Sequence, residues 1–175
     1  MKKLFFLTGA SGSGKTTATK ELERRGISRF KILYFDSIGV PSIKEMEEKY
    51  DGPEEWQKIK TIEWVQIIKR DFLLNIHVLF DGQTRPSFIE NACHENGIKE
   101  FEVILFDCSD DERKRRLATR DQANLADENM MNWAKFLRKE CQNRGCLIID
   151  NTTIQIEETA SQLFAYLQEQ ASCER

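Results

Sequence analysis

Five short apolar runs recur along the chain, and polar segments long enough to form helices separate them. The runs are predicted strands at residues 3–8, 31–35, 78–80, 101–106 and 146–149. Continuous apolar runs are typical of strands that are buried on both faces of a parallel sheet. The alternation of strands with helices therefore predicts an α/β fold of three layers. A five-stranded parallel sheet would carry helices on both faces, with right-handed crossovers between the strands.

Apolar spacing and local start signals place helices in the polar segments. Helices are predicted at residues 15–25, 54–74, 127–142 and 156–170, with a further helix after Ser109. Two segments, Ser42-Ile43-Lys44-Glu45 and Ser87-Phe88-Ile89-Glu90, match the capping-box pattern. In that pattern a serine and a glutamate three residues later each satisfy a free backbone amide of the other. We expect a helix to begin at each of these two segments.

The segment between the first strand and the first helix carries the strongest chemical signal. It reads Gly9-Ala10-Ser11-Gly12-Ser13-Gly14-Lys15-Thr16, which matches the pattern G-x-x-x-x-G-K-[ST] in the strand–loop–helix context that the pattern requires. Glycines let the backbone approach a ligand, so that successive amides and the helix N-terminus cradle a polyphosphate. We expect Lys15 to reach the β- and γ-phosphates, Thr16 to offer its hydroxyl to Mg²⁺, and Thr17 to extend the nucleotide-binding segment. The sequence therefore predicts binding of ATP with Mg²⁺.

Polar residues follow the predicted strands at the edge where this phosphate loop lies. Ligands of parallel α/β sheets bind at the carboxyl ends of the strands, so these residues should surround one crevice with the loop. They are Asp36, Asp81, Arg85 and Asn151. Asp81 is the candidate for the magnesium shell, because Mg²⁺ is usually held by one or two carboxylates. The alternative is that Asp81 only caps the turn at Gly82. Asn151 is expected to contact the nucleotide.

Composition limits the location and the partners of the protein. The 175 residues fit a single domain, and 26 basic against 29 acidic residues give a net charge of −3. This balance gives no global attraction to nucleic acid or to an anionic membrane, so neither is expected as a partner. The first apolar stretch ends at Thr8-Gly9, too short for a signal peptide, and no run approaches the length of a membrane span. Five cysteines without a C-x-x-C pair indicate thiols in a reducing compartment, and the predicted location is the cytoplasm.

The segment Asp81-Gly82-Gln83-Thr84-Arg85 resembles the Asp-Gly-x-x-Arg segment of adenylate kinase and other nucleoside monophosphate kinases. The resemblance implies that Asp81 lies in the magnesium shell and that Arg85 holds a phosphate of the acceptor. Arg85 is therefore expected to bind an anionic group of the acceptor.

A basic segment further along the chain resembles the lid entrance of the same enzymes. Arg116 and Arg120 form an R-x-x-x-R pair and would share one helical face if the helix continues that far. The resemblance implies that Arg116 stacks near the adenine, that both arginines contact the phosphates of ATP, and that a short lid covers about residues 116–138. Arg138 is a loose match to a further lid arginine. On charge alone, the alternative is a solvated helix end.

The phosphate loop itself is closer in form to the loops of shikimate, gluconate and uridine kinases. By this resemblance the fold is the P-loop kinase sheet, with strand order 2-3-1-4-5. The segment Tyr34-Phe35-Asp36-Ser37 resembles the strand-two aspartate of shikimate-type kinases, which implies that Asp36 contacts the hydroxyl of the acceptor. Asp36 would then serve as a general base or orient the hydroxyl. The second acidic residue common in that group is replaced by Ile38, and the alternative for Asp36 is a residue that only forms a turn.

The acceptor region is expected at about residues 36–75. Trp56 would line an aromatic acceptor pocket, although core packing is the default for an aromatic residue on an amphipathic helix. We expect an ATP-dependent kinase that moves the γ-phosphoryl group of Mg-ATP to a hydroxyl of an anionic small molecule, as a monomer or homodimer. The residues expected to act in catalysis are Lys15, Asp36, Arg116 and Arg120.

Three other functions are considered. A nucleoside monophosphate kinase would use Arg85 for the acceptor phosphate. A P-loop ATPase or nucleotide-sensing module usually needs a subunit-interface arginine or an added domain, for which 175 residues leave little room. A polynucleotide kinase would need a basic groove, and the acidic balance makes it the weakest alternative.

Overall fold

The computed structural model describes residues 3–72 and 76–172, and it confirms the predicted α/β fold. Five parallel strands form one sheet in the order β2-β3-β1-β4-β5. The strands are β1 (Leu4–Thr8), β2 (Phe30–Tyr34), β3 (His77–Asp81), β4 (Phe101–Asp107) and β5 (Leu147–Asp150). The α-helices in the described ranges are α1 (Lys15–Arg24), α2 (Ile43–Tyr50), α3 (Pro53–Phe72), α4 (Pro86–Glu95), α5 (Asp110–Thr119), α6 (Glu128–Arg144) and α7 (Ile156–Ser172).

The apolar strands bury side chains on both faces of the sheet, because successive residues of a strand point to opposite sides. On the central strand β1, Leu4 and Phe6 belong to one buried cluster, while Phe5 and Leu7 belong to the other. The first cluster includes residues of α3 and α4, and the second includes residues of α1 and α7. Helices therefore cover both faces, as the continuous apolar runs predict.

One of the two predicted capping boxes is confirmed. The Ser42 hydroxyl accepts a hydrogen bond from the Glu45 amide at 3.3 Å, and the Glu45 carboxylate accepts one from the Ser42 amide at 2.9 Å. The second box is wrong, because α4 begins at Pro86, one residue before Ser87. Proline is favoured in the first helical turn, where its fixed φ suits the helix and its missing amide needs no partner. The Ser87 amide donates instead to the Glu140 carboxylate of α6 at 3.1 Å.

The chain turns sharply after β2. The predicted second strand includes Phe35, but β2 ends at Tyr34 and Phe35–Ile38 folds into a 3₁₀ turn. Phe35 is buried against Gly82, and a Cβ added to Gly82 would lie 2.7 Å from the Phe35 Cβ. The absence of a side chain at position 82 therefore permits this close approach. The turn places Asp36 at the carboxyl edge of the sheet.

The predicted long helix is α3, which ends at Phe72, while its predicted last residues, 73 and 74, lie outside the described part of the chain. It packs Trp64, Val65 and Ile68 into the core. No helix within the described ranges is both long and apolar enough to span a bilayer. The loops that follow the strands form the carboxyl edge of the sheet, and the predicted site residues lie in or beside these loops.

Candidate active site

The phosphate loop leaves β1 and reaches α1 by a backbone path that requires glycine. Gly9 and Gly14 have φ angles of 152° and 88°. A Cβ at Gly9 would lie 2.4 Å from the carbonyl oxygen of Phe106, so no larger residue fits there. Gly14 precedes α1 and has no side chain with which to cap it. The amides of the first helical turn are therefore free to bind phosphate oxygens.

Lys15 is buried inside this loop, with 9% of its surface exposed. Its Nζ donates a hydrogen bond to the carbonyl oxygen of Gly9 at 2.6 Å. Burial lowers the pKa of Lys15, while the negative charges of Asp81 and, more weakly, Asp36 raise it. The ammonium group is thus held in the loop near two carboxylates. A bound polyphosphate would compete with these carboxylates for the ammonium group.

Asp81 ends β3 and is 4% exposed. The Thr19 hydroxyl donates to its Oδ2 at 3.1 Å, and the Thr16 hydroxyl lies near enough to influence its pKa. Burial raises the pKa of Asp81, whereas the charge of Lys15 and the two threonine hydroxyls lower it. A carboxylate beside a hydroxyl is an oxygen donor set that fits Mg²⁺.

Two protein oxygen donors are few for a magnesium shell, but they match the way in which proteins commonly hold this ion. Within the described ranges, no group of three or more His, Cys, Asp or Glu side chains could hold a metal ion. Mg²⁺ commonly keeps several waters and binds to one or two carboxylates and the substrate phosphates. Thr16 and Asp81 fit this mode of binding, and that they hold Mg²⁺ stays a prediction.

A buried arginine that the sequence analysis does not single out supports the phosphate loop. Arg113 of α5 is fully buried; it donates to the carbonyl oxygen of Ser11 at 3.0 Å and to the Asp107 carboxylate at 2.9 Å. Arg138 of α6 pairs with the other oxygen of Asp107. A signal was available in the sequence, because Arg113 and the buried Leu117 are four residues apart and share the inner face of α5.

Asn151 binds the backbone of the phosphate loop at Ser13. Its Nδ2 donates to the carbonyl oxygen of Ser13 at 2.8 Å, and its Oδ1 accepts from Arg116 at 2.9 Å. Arg116 also donates to the Asn151 carbonyl at 2.7 Å and to Glu112 at 2.7 Å. Arg116 and Asn151 therefore form one hydrogen-bonded unit beside Gly14, with the amide of Asn151 supporting the loop backbone.

Arg120 directly follows α5, because the helix ends at Thr119, and it donates to the Thr17 hydroxyl at 2.8 Å. The condition for a shared helical face, a helix that continues to Arg120, is therefore not met, although both arginines lie beside the loop. Two clefts meet here and share Gly14 and Arg120. One, of about 520 Å³, lies over the loop, and the other, of about 380 Å³, lies between Arg116 and the segment that follows Asn151. The pair of clefts has room for a polyphosphate and an attached nucleoside.

Most of the segment predicted as a lid is helical in this structure. The described chain continues α5 to Thr119 and starts α6 at Glu128, with a short 3₁₀ turn at Ala123–Leu125 between them. Residues 120–127 are the only non-α-helical connection within the described part of the predicted lid, 116–138. Movement of this connection over a nucleotide stays a prediction.

Asp36 lines the larger cleft together with Lys20, Tyr34 and Gln83. Its side chain belongs to an exposed residue, in contrast to the buried Asp81. The charge of Asp36 acts on both Lys15 and Asp81, because it contributes to the pKa shift of each. The structure therefore brings the predicted hydroxyl-binding carboxylate to the same cleft as the phosphate loop.

Arg85 is held in a separate cluster next to the cleft. Its guanidinium pairs with Glu54 of α3 at 2.6 Å and lies 5.0–5.4 Å from the ring centres of Phe88, Trp133 and Phe136. Cation–π contacts of this kind hold an arginine in a defined place while leaving its N–H groups able to bind anions. The carboxylate of Glu54, whose side chain is 59% exposed, occupies the guanidinium of Arg85, and the predicted binding of an acceptor anion by Arg85 stays a prediction.

Trp56 lies in the core. It is 6% exposed and packs edge-to-face on Phe35, with ring centres 5.5 Å apart. Its burial follows from its position on the inner face of α3, where the apolar stripe meets the sheet. The structure thus places Trp56 beneath the Asp36 turn, and its position agrees with core packing.

Comparisons with solved structures identify the fold. A shikimate kinase from Acinetobacter baumannii in complex with shikimate is 14% identical; 99% of this chain and 96% of that chain are covered, with a TM-score of 0.64. A sugar kinase from Janibacter sp. HTCC2649 in an unliganded structure is 12% identical; 96% of this chain and 95% of that chain are covered, with a TM-score of 0.68. These similarities confirm the predicted P-loop kinase fold.

Sequence comparisons give a broader assignment. No curated protein matches the chain. A family model described as an AAA domain matches residues 6–131, which include the phosphate loop, the Asp81 segment, Arg116 and Arg120. Because this match covers well over half of the chain, the protein belongs to the AAA domain family.

Proposed function

We propose that the protein is an ATP-dependent phosphotransferase that moves the γ-phosphoryl group of Mg-ATP to a hydroxyl of an anionic small molecule. The observation that carries this proposal is the position of Asp36, an exposed carboxylate in the same cleft as Lys15 and Asp81. A P-loop module that only binds a nucleotide has no need of a further carboxylate there. The shikimate kinase of the same fold was solved with shikimate, which supports a small-molecule acceptor.

The nucleotide would bind through the loop and α5. The backbone amides of the loop and Lys15 would hold the β- and γ-phosphates, and Arg116 and Arg120 would border the nucleoside and contact the phosphates. Thr16 and Asp81 would hold Mg²⁺, which neutralises phosphate charge when it is bound. Arg113 would act indirectly, because it fixes the loop carbonyl of Ser11.

In the transfer step, the acceptor oxygen would form a bond to the γ-phosphorus while the bond from that phosphorus to the β–γ bridging oxygen breaks. ADP would leave with the electrons of the broken bond, and the hydroxyl proton would pass to Asp36. Lys15 and Arg120 would stabilise the negative charge that develops on the transferred group. Positioning and electrostatics would therefore account for the roles of the loop amides, Lys15 and Arg120. Asp36 would add general-base catalysis.

Arg85 would bind the anionic end of the acceptor. An incoming carboxylate or phosphate would replace Glu54, while the three aromatic rings keep the guanidinium in place. Gln57 connects this cluster to the cleft, because its Nε2 donates to the carbonyl of Gln83 at 2.8 Å and its Oε1 accepts from the Arg85 amide at 3.4 Å. The acceptor would lie between Asp36 and Arg85.

A nucleoside monophosphate kinase is the second candidate. Arg85 favours it, because a fixed guanidinium in an Asp-Gly-x-x-Arg segment suits an acceptor phosphate. The two candidates differ in the group that receives the phosphoryl, a hydroxyl in the first and a phosphate in the second.

An acceptor screen tests the proposal. ADP release from Mg-ATP would be measured alone and with three panels: hydroxy acids and sugar acids, phosphorylated hydroxyl compounds, and nucleoside monophosphates. We expect slow release alone and faster release with one member of the first two panels. Stimulation by a nucleoside monophosphate would support the second candidate. Full turnover without any acceptor would instead indicate an ATPase.

A further inference from the structure

Two cysteines meet at the opposite edge of the sheet from the active site, where α6 ends and β5 begins. Gly145, with φ of 68°, ends α6, and the Cys146 amide donates to the Cys141 carbonyl at 3.0 Å. The Gly145 amide donates to the Gln142 carbonyl at 3.3 Å. These two bonds define a Schellman motif, in which the residue after the glycine contacts the residue five positions before it. Here both contacting residues are cysteines.

The two thiols differ in environment although they touch. Cys141 is fully buried, and Cys146 is half-buried. Cys146 packs against the buried cluster that contains Cys141, and the interaction of the two thiols lowers the pKa of Cys146 and raises the pKa of Cys141. Burial and Glu90 act against the lowering at Cys146, and Arg144 supports it. Cys146 is therefore the thiol that more readily becomes a thiolate, which is the nucleophilic form of cysteine.

Small molecules can reach Cys146 but not Cys141. Cys146 lines a cleft of about 410 Å³ together with Glu90, Arg144 and Tyr166. Cys141 is enclosed in the core cluster between α6 and the sheet. An accessible thiol next to a buried thiol is the arrangement of a reacting cysteine and a resolving cysteine.

We propose that Cys146 and Cys141 are a modification site, at which a hydroperoxide oxidises Cys146 and Cys141 closes a reversible disulfide. The backbone already holds the two residues in contact, so closure requires a local change of side-chain rotamers and leaves α6 in place. The disulfide would join the last turn of α6 to the residue that precedes β5.

The chemistry uses hydrogen peroxide as the two-electron oxidant. The Cys146 thiolate attacks one peroxide oxygen, the O–O bond breaks, and a sulfenic acid forms with release of hydroxide. The Cys141 sulfur then attacks the Cys146 sulfur; the S–O bond breaks, the disulfide forms, and water leaves with the proton of the Cys141 thiol. A small thiol restores both cysteines by thiol–disulfide exchange.

Peptide mapping of the oxidised full-length protein tests the proposal. The protein would carry Cys173→Ser, because Cys173 and Cys146 share one tryptic peptide, residues 145–175, while Cys141 lies in residues 140–144. After limited peroxide treatment and alkylation of remaining thiols, we expect these two peptides to be linked, and dithiothreitol to separate them. The buried thiols Cys93 and Cys108 are the internal controls and should remain alkylatable after unfolding.

Two variants separate the roles of the two thiols. In Cys141→Ser, a 1,3-dione probe should label Cys146, because the sulfenic acid has no resolving partner; in Cys146→Ser, labelling and linkage should both be lost. Each variant would be checked for unchanged ATP turnover. Linkage through Cys93 or Cys108, equal oxidation of all thiols, or wild-type oxidation of Cys146 without linkage would each overturn the proposal. None of these outcomes bears on the proposed kinase function, because neither cysteine lines the two clefts of the candidate active site.

Discussion

The proposed nucleotide side and the proposed acceptor side of the cleft are held together by different kinds of contact. On the nucleotide side, buried side chains from distant parts of the chain fix main-chain carbonyls of the loop: Arg113 binds Ser11, and Asn151 binds Ser13. On the acceptor side, Asp36 is exposed, and Arg85 is held by an ion pair with a carboxylate that is 59% exposed. The first side is a fixed backbone, and the second is a set of side chains that can change partners.

This difference assigns separate tasks to the two sides. Phosphate recognition by backbone amides needs an exact and rigid loop, and it is the same for any triphosphate. Acceptor recognition needs groups that a substrate can displace, and an exposed ion pair is worth only about 0–1 kcal/mol. We therefore infer that substrate choice resides in the side chains of the acceptor side. The following variants test this comparison.

Lys15→Ala should have the largest effect. Its ammonium is the buried cation of the loop, so we expect the rate of ATP turnover to fall about 10³-fold or more, as for loss of a preorganised transition-state donor. Lys44→Ala, which removes a lysine whose side chain is 84% exposed on α2, is the control and should leave turnover unchanged. Near-normal turnover in Lys15→Ala would refute the assignment of the loop.

Asp36→Asn should lower kcat for the acceptor reaction by about 10²–10⁴-fold if the carboxylate takes the hydroxyl proton. The nucleotide side should be intact, so ATP affinity measured by titration should be unchanged. Asp111→Asn, at an exposed aspartate of α5, is the matched control. A silent Asp36→Asn combined with a severe Arg85→Ala would favour the nucleoside monophosphate kinase.

Arg113→Met tests whether the loop depends on its buried support. Removing one partner of a buried ion pair leaves the charge of Asp107 only partly neutralised and leaves the Ser11 carbonyl without the Arg113 hydrogen bond. The free energy of unfolding should therefore fall by about 3–5 kcal/mol. Urea denaturation measures this loss. Arg115→Met, on the same helix with a side chain 68% exposed, should change it by less than about 1 kcal/mol. Similar losses in both variants would contradict the special role of Arg113.

Arg120→Ala should lower kcat about 10–100-fold, equivalent to ~1.4–2.7 kcal/mol, with a smaller change in ATP affinity. The reason is that Arg120 borders both clefts and would bind charge that develops during transfer. Arg120→Lys should rescue only part of the loss, because lysine lacks the planar fork of arginine. Arg24→Ala, at an arginine whose side chain is 74% exposed on α1, is the control. If Arg120→Ala weakened ATP affinity and left kcat unchanged, Arg120 would act in nucleotide binding alone.

Arg85→Ala and Glu54→Gln should have the smallest and opposite effects. Arg85→Ala should raise the KM for the acceptor about tenfold, since it removes the cation for the anionic end. Glu54→Gln should lower that KM by up to about fivefold, because the guanidinium no longer has to leave a charged partner. Steady-state kinetics at saturating ATP measure both. If these variants changed ATP affinity and left the KM for the acceptor unchanged, Arg85 would act in nucleotide binding.

Features that depend on neighbouring residues could be predicted from the sequence. The apolar runs predicted the five strands, because a strand buried on both faces must be apolar throughout its length. The phosphate loop was recognisable for a similar reason: glycines at Gly9 and Gly14 permit backbone angles that other residues rarely adopt. Such requirements involve residues that are consecutive in the sequence, and the fold class could be predicted from them.

Contacts between side chains that are distant in the sequence could not be predicted, because they form only when the chain is folded. Arg113 and Ser11 are 102 positions apart, and Arg85 and Glu54 are 31 positions apart, so no local pattern joins them. Burial of Trp56 and the start of α4 at Pro86 likewise depended on what packs against them. From the sequence alone, a charged residue on a helix is expected to be exposed to solvent. Its burial is tolerated only where the folded chain supplies a charge partner and hydrogen bonds.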